Sequence, residues 1–472
     1  MKTVVIAGAT GLIGQALSLS LNRHGHRVIA LARNVAQAHQ RLGSDNRVIA
    51  WADRSAWQAA IAQADVVINL AGAPILPHPW TANRRQVLQS SRLETTKALV
   101  DAIGQCDQPP SLLIQASATG FYGAGSSVAS EQTAVGSGFA AHLCNDWEQA
   151  ANQALSDRTR VVRLRIGNVL AREGGLLGKI GLTYRAHLAS RLGSGKQPFS
   201  WIDLDDLLAI VHHCIADQTL NGAINACVPT RACFADLHQA LRSQIGRQFA
   251  PPVPAWLIEK LLGEAGQLLT RGRHVTPERL CNAGFEWRFS NLANCVAHHL
   301  KPSSRVRFET EKVVTPQGKA ASYCLQATTQ THSEKTSLVP WFETPLNLGV
   351  MTPNFMRFTL RGDPPKMAQG ARIHYRIYLF GFPMTWVTRI ERWEAGESFV
   401  DQQAKGPYSL WWHEHRFEEQ AGKTVIHDRV LYRLPFGLLG RVVHHLFIRR
   451  TLARIFAYRM AVVDRRFGQK TE

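Results

Sequence analysis

A run of closely spaced glycines near the start of the chain has the spacing of an anion-binding turn. Gly8, Gly11 and Gly14 follow the β-branched apolar run 3–7, and a helical pattern continues beyond them to Gly25. In such a strand–turn–helix unit, glycines permit a tight turn and let backbone N–H groups approach a pyrophosphate at the positive end of the helix. We therefore expect a dinucleotide-binding turn with contacts from Gly8, Thr10, Gly11, Leu12, Ile13 and Gly14. A glycine-rich turn without a ligand is the alternative.

The residue after the second apolar run selects the form of the cofactor. A carboxylate at this place would accept a hydrogen bond from a ribose 2′-hydroxyl, whereas an arginine would pair with a 2′-phosphate. The run ends Leu31-Ala32-Arg33-Asn34, without a carboxylate. Arg33 therefore favours NADP(H) over NAD, and a solvated surface arginine is the alternative.

Further apolar runs alternate with helical patterns through the first half of the chain. These runs are 65–72, 111–117 and 160–165. Regular alternation predicts an α/β fold, a doubly wound parallel sheet with ligands at the carboxyl ends of its strands. The candidate residues at or just past those ends are Asn69, Ala71, Gly72, Ser117 and Asn168. Arg92, on the helical stretch 83–103, joins the candidate cofactor ligands.

Composition sets bounds on the class of protein. The 472 residues predict two to four domains at about 100–200 residues each, and the net charge of +19 favours anionic partners. No zinc-finger spacing or aromatic RNA-binding strand is present, so specific nucleic-acid recognition is not expected. No apolar stretch reaches the roughly 18 residues of a transmembrane helix. The eight scattered cysteines indicate reduced thiols and a cytoplasmic location.

Several motifs between Met1 and about Leu300 share one family resemblance. In chain order they are GATGLIG, NLAGAPI, SRLETT, SATGFYG, NDWEQAA, RIGNVL, SWIDLDDL and RLCNAGFEW. Together they resemble the atypical extended short-chain dehydrogenases/reductases of the nucleoside-diphosphate-sugar epimerase-like group. The resemblance implies NADP(H) binding by a Rossmann domain over 1–180, with returning segments up to about 230. It also implies a substrate-binding subdomain over 181–300.

The sequence departs from this family at its catalytic pair. Active members use a YxxxK arrangement, in which the tyrosine is the acid/base and the lysine lowers its pKa. If Glu148 matches the family's glutamate in this helix, Ala140 and Cys144 stand at the tyrosine and lysine positions. Neither side chain can perform that chemistry.

Other side chains are candidates for the missing roles. Ser117 keeps the position of the family's substrate-facing hydroxyl, and Tyr122 is the nearby phenol. Tyr122 is either a relocated proton donor or a packing aromatic with a hydrogen-bonded hydroxyl. His142 is a weaker substitute base, and Cys144 would need an electropositive environment to react.

The pattern changes after the polar joint 301–304. Consecutive aromatic and β-branched runs with short turns predict an antiparallel meander, and these runs are 371–382, 384–393, 398–403, 408–417 and 424–434. An amphipathic helical pattern then covers 436–468, with its apolar positions at Leu439, Val443, Leu446, Phe447, Leu452, Ile455, Phe456 and Met460. A sheet around one long helix would enclose an apolar pocket. We expect residues 305–472 to form a separate domain.

The motifs of this second half resemble the START-like, polyketide-cyclase-like helix-grip superfamily, whose members carry apolar ligands. They include Gly406-Pro407-Tyr408, Asp428-Arg429-Val430 and Tyr432-Arg433-Leu434-Pro435. His413 and His415 alternate on a strand and so share a face, but the sequence offers no third metal ligand. We therefore expect no metal site, and interpret both histidines as solvent-facing or core-edge residues. The candidate pocket-lining aromatics are Trp386, Trp393, Trp411 and Trp412, although core packing would also explain them.

Three classes of function remain open. The first is an NADP-dependent oxidoreductase or epimerase-like enzyme with a small-molecule substrate and a second domain for an apolar ligand. The second is a catalytically silent NADP(H)-binding regulatory protein, which the missing tyrosine–lysine pair favours. The third is a lipid-surface or nucleic-acid adaptor that uses the basic terminal helix. The sequence does not specify the substrate or the oligomeric state.

Overall fold

The chain folds into two compact units. The computed structural model describes the whole chain apart from residues 77, 173, 302, 316–317, 380, 436 and 470–472. Unit 1 comprises Met1–Leu17, His26–Arg33 and Val48–Lys301, and unit 2 comprises Ser18–Gly25, Asn34–Arg47 and Pro302–Glu472. Residue 302 of the predicted joint, 380 of a predicted strand and 436 of the predicted terminal helix lie outside the described residues.

The first half of the chain is built on a seven-stranded sheet in the order β3-β2-β1-β4-β5-β6-β9. Its strands, with the separate pair β7–β8, are β1 (Thr3–Ala7), β2 (Arg27–Ala32), β3 (Arg47–Ala50), β4 (Val66–Asn69), β5 (Leu112–Ala118), β6 (Arg160–Ile166), β7 (Asn168–Ala171), β8 (Trp201–Asp203) and β9 (Gly222–Ala226). From β2 to β9 the neighbouring strands pair in parallel. The predicted doubly wound parallel sheet is confirmed.

Helices follow the strands in alternation, as the sequence pattern indicates. In the described part of residues 1–301 they are α1 (Leu12–Arg23), α2 (Val35–Leu42), α3 (Arg54–Ala62), α4 (Ala82–Gly104), α5 (Phe139–Asn152), α6 (Gly175–Arg185), α7 (Leu204–Ala216), α8 (Phe234–Ile245), α9 (Ala255–Leu262), α10 (Gln267–Thr270), α11 (Glu278–Asn282) and α12 (Leu292–Leu300). Strand residues such as Val67 and Leu113 pack with Trp57, Leu99 and Ile103 of the helices in one buried cluster. The parallel strands are therefore apolar because helices cover them.

Unit 2 contains an eight-stranded antiparallel sheet in the order β10-β11-β17-β16-β15-β14-β13-β12. The strands are β10 (Val306–Thr315), β11 (Gly318–Gln330), β12 (Thr359–Leu360), β13 (Arg372–Leu379), β14 (Phe382–Glu394), β15 (Ser398–Lys405), β16 (Leu410–Gln420) and β17 (Lys423–Arg433). The predicted meander is confirmed over β13–β17. The run 371–382 is not one strand, because Gly381 has a φ of +87° and Phe382 begins β14.

A long C-terminal helix packs on this sheet. The helices of residues 303–469, as far as they are described, are α13 (Lys335–Phe342), α14 (Asn347–Val350), α15 (Gly437–Val443) and α16 (Arg449–Phe467), with a π-helical turn at His444–Ile448. Leu452 and Phe456 of α16 contact Leu325, Ala327 and Val430 of the sheet. The predicted sheet with a terminal helix is confirmed, whereas the likeness to START-like proteins stays a prediction.

The predicted apolar stripe of the terminal helix is only partly buried. Leu452, Phe456 and Met460 are buried, but Leu439 is 64% exposed and Phe447 is 52% exposed. The pattern is therefore wrong as a core assignment for Leu439, Leu446 and Phe447, whereas Val443 packs against the buried cluster that contains Leu452 and Phe456.

Two further properties concern the helices and the cysteines. Among the described helices, none is long and apolar enough to cross a membrane. The eight cysteines all lie in the described ranges and are free thiols.

Candidate functional site

The glycine turn between β1 and α1 has a shape that only glycine permits. Gly8 has a φ of +82°, and a Cβ there would lie 2.6 Å from the backbone carbon of Leu70. A Cβ on Gly14 would lie 2.5 Å from the carbonyl oxygen of Gly8. The turn is closed by the Gly11 N–H, which donates to Gly8 O at 3.0 Å. These close approaches leave no room for side chains at Gly8 and Gly14. The N-terminus of α1 therefore lies directly behind a surface that carries no side chains.

The rest of the turn leaves that surface accessible. Gly11 is exposed, and Thr10, Leu12 and Ile13 are half-buried. The carbonyl oxygen of Thr10 accepts a bond from the Gln15 side chain at 2.6 Å. The geometry fits the binding of a pyrophosphate by backbone N–H groups at a helix N-terminus.

Arg33 lies directly after the carboxyl end of β2. Its side chain is exposed, and the structure records no hydrogen bond or ion pair for it among the described residues. The next residue, Asn34, caps α2 by accepting from the Gln37 N–H at 2.9 Å. The guanidinium is therefore free to meet an anion at the strand end, as the NADP(H) prediction requires.

Asn69 ends β4 and is completely buried. Its amide nitrogen donates to Thr96 Oγ1 at 2.9 Å and to Gln115 Oε1 at 3.0 Å. Its oxygen accepts from the Ala71 N–H at 3.1 Å. Asn69 thus holds the loop after β4 in place. Because it is completely buried, it affects the candidate site only through the position of that loop.

Arg92 of α4 supports the same loop. A Cβ on Gly72 would lie 3.1 Å from the Arg92 guanidinium carbon, so glycine leaves room for that side chain. The guanidinium donates to Ala73 O and Leu88 O, both at 3.1 Å, and lies 4.9 Å from the Trp147 ring centre. Burial lowers the pKa of Arg92. Its role as a cofactor ligand stays a prediction.

Asn168, the remaining predicted cofactor ligand, begins β7 and is exposed. Its side-chain amide donates to the carbonyl oxygen of Ser200 at 2.9 Å. This bond ties β7 to the segment that precedes β8. The predicted ligands at the carboxyl ends of β1, β2 and β4 thus share one edge of the parallel sheet, and Asn168 stands just past β6.

Ser117, near the end of β5, belongs to a buried charged network. Its Oγ donates to Glu148 Oε1 at 2.7 Å. Arg165 of β6 holds the same carboxylate through two bonds of 2.8 Å. All three side chains are at most 4% exposed. Burial disfavours a charged Arg165, but the interactions with Glu148 and Tyr122 outweigh it and raise the pKa of the arginine, so its guanidinium stays charged.

Tyr122 is joined to this network through its hydroxyl. The hydroxyl donates to Asn225 Oδ1 at 2.7 Å and accepts from Arg165 Nη1 at 2.8 Å. Burial raises the pKa of Tyr122 to about 12. These contacts are those expected of a packing aromatic with a satisfied hydroxyl. The alternative role as proton donor stays a prediction, and it would require the bond to Asn225 to break.

The two positions of the missing tyrosine–lysine pair lie on α5. A Cβ on Gly120 would lie 3.9 Å from the Ala140 side chain, which places Ala140 beside the turn after β5. Cys144 is buried, and burial raises the pKa of its thiol to about 11, with the nearby Glu148 carboxylate adding to the rise. The thiol is therefore protonated at neutral pH and supplies no positive charge.

Sequence reasoning missed the partners that hold Ser117 and Tyr122 in place. Arg165 and Arg163 interrupt the apolar strand RVVRLRI, and a charge in a buried parallel strand requires a partner. That signal was readable, but the partner Glu148 lies 17 residues away on a helix and Asn225 lies 103 residues from Tyr122. Only the fold brings them together.

Unit 2 contains a cavity of about 150 Å³ that is partly open to solvent. Its walls are mainly apolar and include Met351, Met356, Ile373, Trp386, Trp411 and Leu452. Two of the four predicted aromatics, Trp386 and Trp411, therefore line it, and Trp393 and Trp412 do not. His413 and His415 also line the cavity and are each 3% exposed. Of the two interpretations, solvent-facing residues are therefore wrong, whereas a position at the edge of the core agrees with the structure.

Comparison with known proteins places the first 300 residues in a family. Residues 4–227 match the profile of the NAD dependent epimerase/dehydratase family, and residues 253–299 match a domain of unknown function, DUF1731. The chloroplastic epimerase family protein SDR39U1 homolog of Arabidopsis thaliana is 33% identical over 298 residues, 62% of this chain and 85% of that protein. Human epimerase family protein SDR39U1 is 31% identical over 294 residues, 61% of this chain and 96% of that protein.

Solved structures agree with this placement. The structure of human SDR39U1 (isoform 2) with NADPH has a TM-score of 0.57 at 30% identity, and the match covers 62% of this chain and 97% of that chain. A nucleoside-diphosphate sugar epimerase from Corynebacterium glutamicum has a TM-score of 0.52 at 28% identity, covering 63% of this chain and 58% of that chain. The resemblance stated from the motifs of residues 1–300 is thereby confirmed. The chain belongs to the epimerase family of NAD-dependent epimerases/dehydratases that includes the SDR39U1 proteins.

Proposed function

We propose that residues 1–301 bind NADP(H) and form an NADP-dependent oxidoreductase or epimerase-like enzyme for a small-molecule substrate. The observation that carries the cofactor assignment is Arg33, an exposed cation at the carboxyl end of β2 without a partner in the described chain. The close approaches at Gly8 and Gly14 support a pyrophosphate on the helix N-terminus. The human relative solved with NADPH supports the phosphorylated cofactor. When bound, this cofactor donates or accepts a hydride.

Ser117 and Tyr122 are the proposed hydroxyl groups of the reaction. Ser117 Oγ donates to Glu148, so it must turn from that carboxylate before it can donate to a substrate oxygen. Glu148 would then keep both bonds from Arg165 and remain paired. The cost of releasing Ser117 is therefore limited to one hydrogen bond to a charged acceptor, about 1.5–3 kcal/mol.

The cofactor assignment is tested by calorimetric titration of the full chain with NADPH and NADH. We expect wild type to prefer NADPH, and Arg33→Ala to weaken NADPH binding by roughly ten- to a hundredfold, since a charge-assisted bond contributes about 1.5–3 kcal/mol. NADH binding should be unchanged. Arg27→Ala is the matched control, because Arg27 is equally exposed but lies at the opposite end of β2. Equal affinities for the two cofactors, unaffected by Arg33→Ala, would contradict the assignment.

A catalytically silent NADP(H)-binding protein is the second candidate. Ala140 and Cys144 at the positions of the tyrosine and lysine favour it, since the buried thiol with its raised pKa cannot stand in for a lysine. Tight NADPH binding without turnover of any carbonyl compound or sugar nucleotide would identify this function.

We further propose that unit 2 holds an apolar ligand. Its support is the cavity between the antiparallel sheet and α16, whose walls are apolar apart from a small polar cluster. Cavities of about 150 Å³ with apolar walls bind benzene-sized molecules in other proteins. The proposed ligand-binding role is also what the resemblance of residues 305–468 to START-like proteins implies, because members of that superfamily carry apolar ligands.

A further inference from the structure

One wall of the cavity in unit 2 carries a compact group of acidic and imidazole side chains. Asp401 of β15 is paired with His413 of β16, and His415 of β16 is paired with Asp428 of β17. Because side chains alternate along a strand, these four project from the same face of three neighbouring strands. Asp401, His413 and His415 line the cavity. Asp428 is 7% exposed and stands behind them.

Three donor atoms of this group converge. Asp401 Oδ2 lies 3.3 Å from His413 Nδ1 and 3.2 Å from His415 Nε2. Atoms that share one metal ion at about 2.0–2.2 Å lie roughly 3.0–3.5 Å apart. The two distances therefore already match those between neighbouring ligands of a single ion.

Asp428 occupies the position of an outer carboxylate. His413 Nε2 is hydrogen-bonded to Asp428 Oδ1 at 2.9 Å. His415 Nδ1 lies 2.9 Å from the same oxygen, although it is off the line that a hydrogen bond requires. In metal sites, the ligating histidine commonly donates its other ring N–H to a carboxylate, which fixes the tautomer and orients the ring.

This arrangement favours an additional positive charge between His413 and Asp401. A neutral imidazole has a single N–H. If His413 donates that N–H to Asp428, its Nδ1 lone pair faces the Asp401 carboxylate at 3.3 Å. Two lone-pair donors at this distance repel each other, and either a proton on Nδ1 or a metal ion between them removes that repulsion.

The residues around the cluster also favour an additional positive charge there. Two carboxylates stand beside a single guanidinium, that of Arg459, whose Nη2 is 3.7 Å from Asp428 Oδ1. Phe399 stacks on His415 with ring centres 4.3 Å apart, and Phe456 lies 5.6 Å from His413. These rings exclude water from one side of the cluster.

We propose that Asp401, His413 and His415 form a mononuclear site for a divalent transition metal such as Zn²⁺ or Fe²⁺, with Asp428 orienting the His413 imidazole. Two imidazoles and one carboxylate are a ligand set that suits both ions. The site lies in unit 2 and is independent of the NADP(H) site, so its existence does not depend on the proposed reaction.

The test is metal binding by the full chain after removal of metals with a chelator. Titration with Zn²⁺ by calorimetry, and with Co²⁺ by absorption spectroscopy, should reveal binding whose Co²⁺ spectrum has the visible bands of nitrogen and oxygen ligation. Asp401→Asn and His413→Asn should each lower the affinity at least tenfold. Asp428→Asn should lower it by about 10–100-fold, as loss of an outer partner does.

Two control variants make the assignment specific. His427→Asn changes the neighbouring residue of β17, whose side chain is 40% exposed, and should leave the affinity unchanged. Asp203, Cys295 and His299 form another group of convergent donor atoms, in unit 1. Because that group lies in unit 1, outside the proposed site, His299→Asn should also leave the Co²⁺ spectrum of the proposed site unchanged.

The outcomes that would overturn the proposal are distinct. Absence of binding would do so, as would full affinity in Asp401→Asn and His413→Asn. If these variants do not fold, the test is the melting temperature of the wild-type protein. A metal that binds only the folded chain must raise that temperature. An unchanged melting temperature in excess Zn²⁺ would then refute the site.

Discussion

Single residues in the first unit distinguish an active enzyme from a silent binding protein. If the protein is an enzyme, Ser117→Ala should lower turnover by about 10²–10³, which is typical for loss of one donor to a developing oxyanion. Cys144→Ala is the control, and it should cost little because its thiol is neutral. The measurement is NADPH oxidation with a panel of carbonyl compounds and sugar nucleotides.

Tyr122→Phe separates the two interpretations of the phenol in the same assay. A large loss of turnover with unchanged NADPH binding would identify a proton donor, whereas lower stability alone would identify the packing role. Full activity of both Ser117→Ala and Tyr122→Phe would refute the acid/base scheme.

The residues that sequence reasoning identified are those with local signals. The turn Gly8–Gly14 and Arg33 are recognisable because their roles depend on neighbours within a few positions. The network around Tyr122 is not recognisable in this way, since Asn225 and Arg165 reach it from separate strands. For the same reason Asp401 was missed as a neighbour of His413, although pairing of β15 with β16 places them side by side.

At the scale of elements, α16 forms one wall of the proposed apolar site. Leu452 lines the cavity and is 3% exposed, so Leu452→Trp should fill part of the space. We expect this variant to bind benzene, used as the probe in a calorimetric titration, at least tenfold more weakly than wild type. Overpacking should also cost about 1–3 kcal/mol of stability, so the melting temperature is measured in parallel.

Leu439→Trp is the matched control for that experiment. Leu439 precedes the π-helical turn, is 64% exposed and does not line the cavity. Probe binding should therefore match that of wild type. Equal binding by wild type and Leu452→Trp, in a folded variant, would exclude the cavity as the probe's site.

The elements themselves were predicted unevenly. The alternation of strands and helices up to residue 300 and the meander β13–β17 follow from hydrophobic period and turn residues. The pairing of β11 with β17 does not, because about a hundred residues separate the two strands along the chain. The terminal helix was extended too far as a buried stripe, since a periodic sequence specifies an amphipathic helix but not where its partner surface ends.

At the scale of the whole molecule, the second half should fold as an independent domain. Residues 303–472 contain the entire eight-stranded sheet and α13–α16. They also contain complete buried clusters, such as Leu325, Val430 and Tyr432 with Ile448, Leu452 and Phe456. All members of this cluster come from one segment, which favours autonomous folding. A second cluster of unit 2, around Phe342, Ile426 and Val462, also includes Leu19 from the first part of the chain.

We therefore expect the expressed fragment 305–472 to unfold in one cooperative thermal transition, monitored by circular dichroism. Phe456→Ala should lower that transition strongly, because truncation of a buried phenylalanine costs about 3–5 kcal/mol, and Phe456 is 2% exposed. Leu439→Ala should leave it nearly unchanged, since that side chain is mostly in solvent. A fragment that is soluble but melts without cooperativity, or one that responds equally to both substitutions, would show that this core requires other parts of the chain.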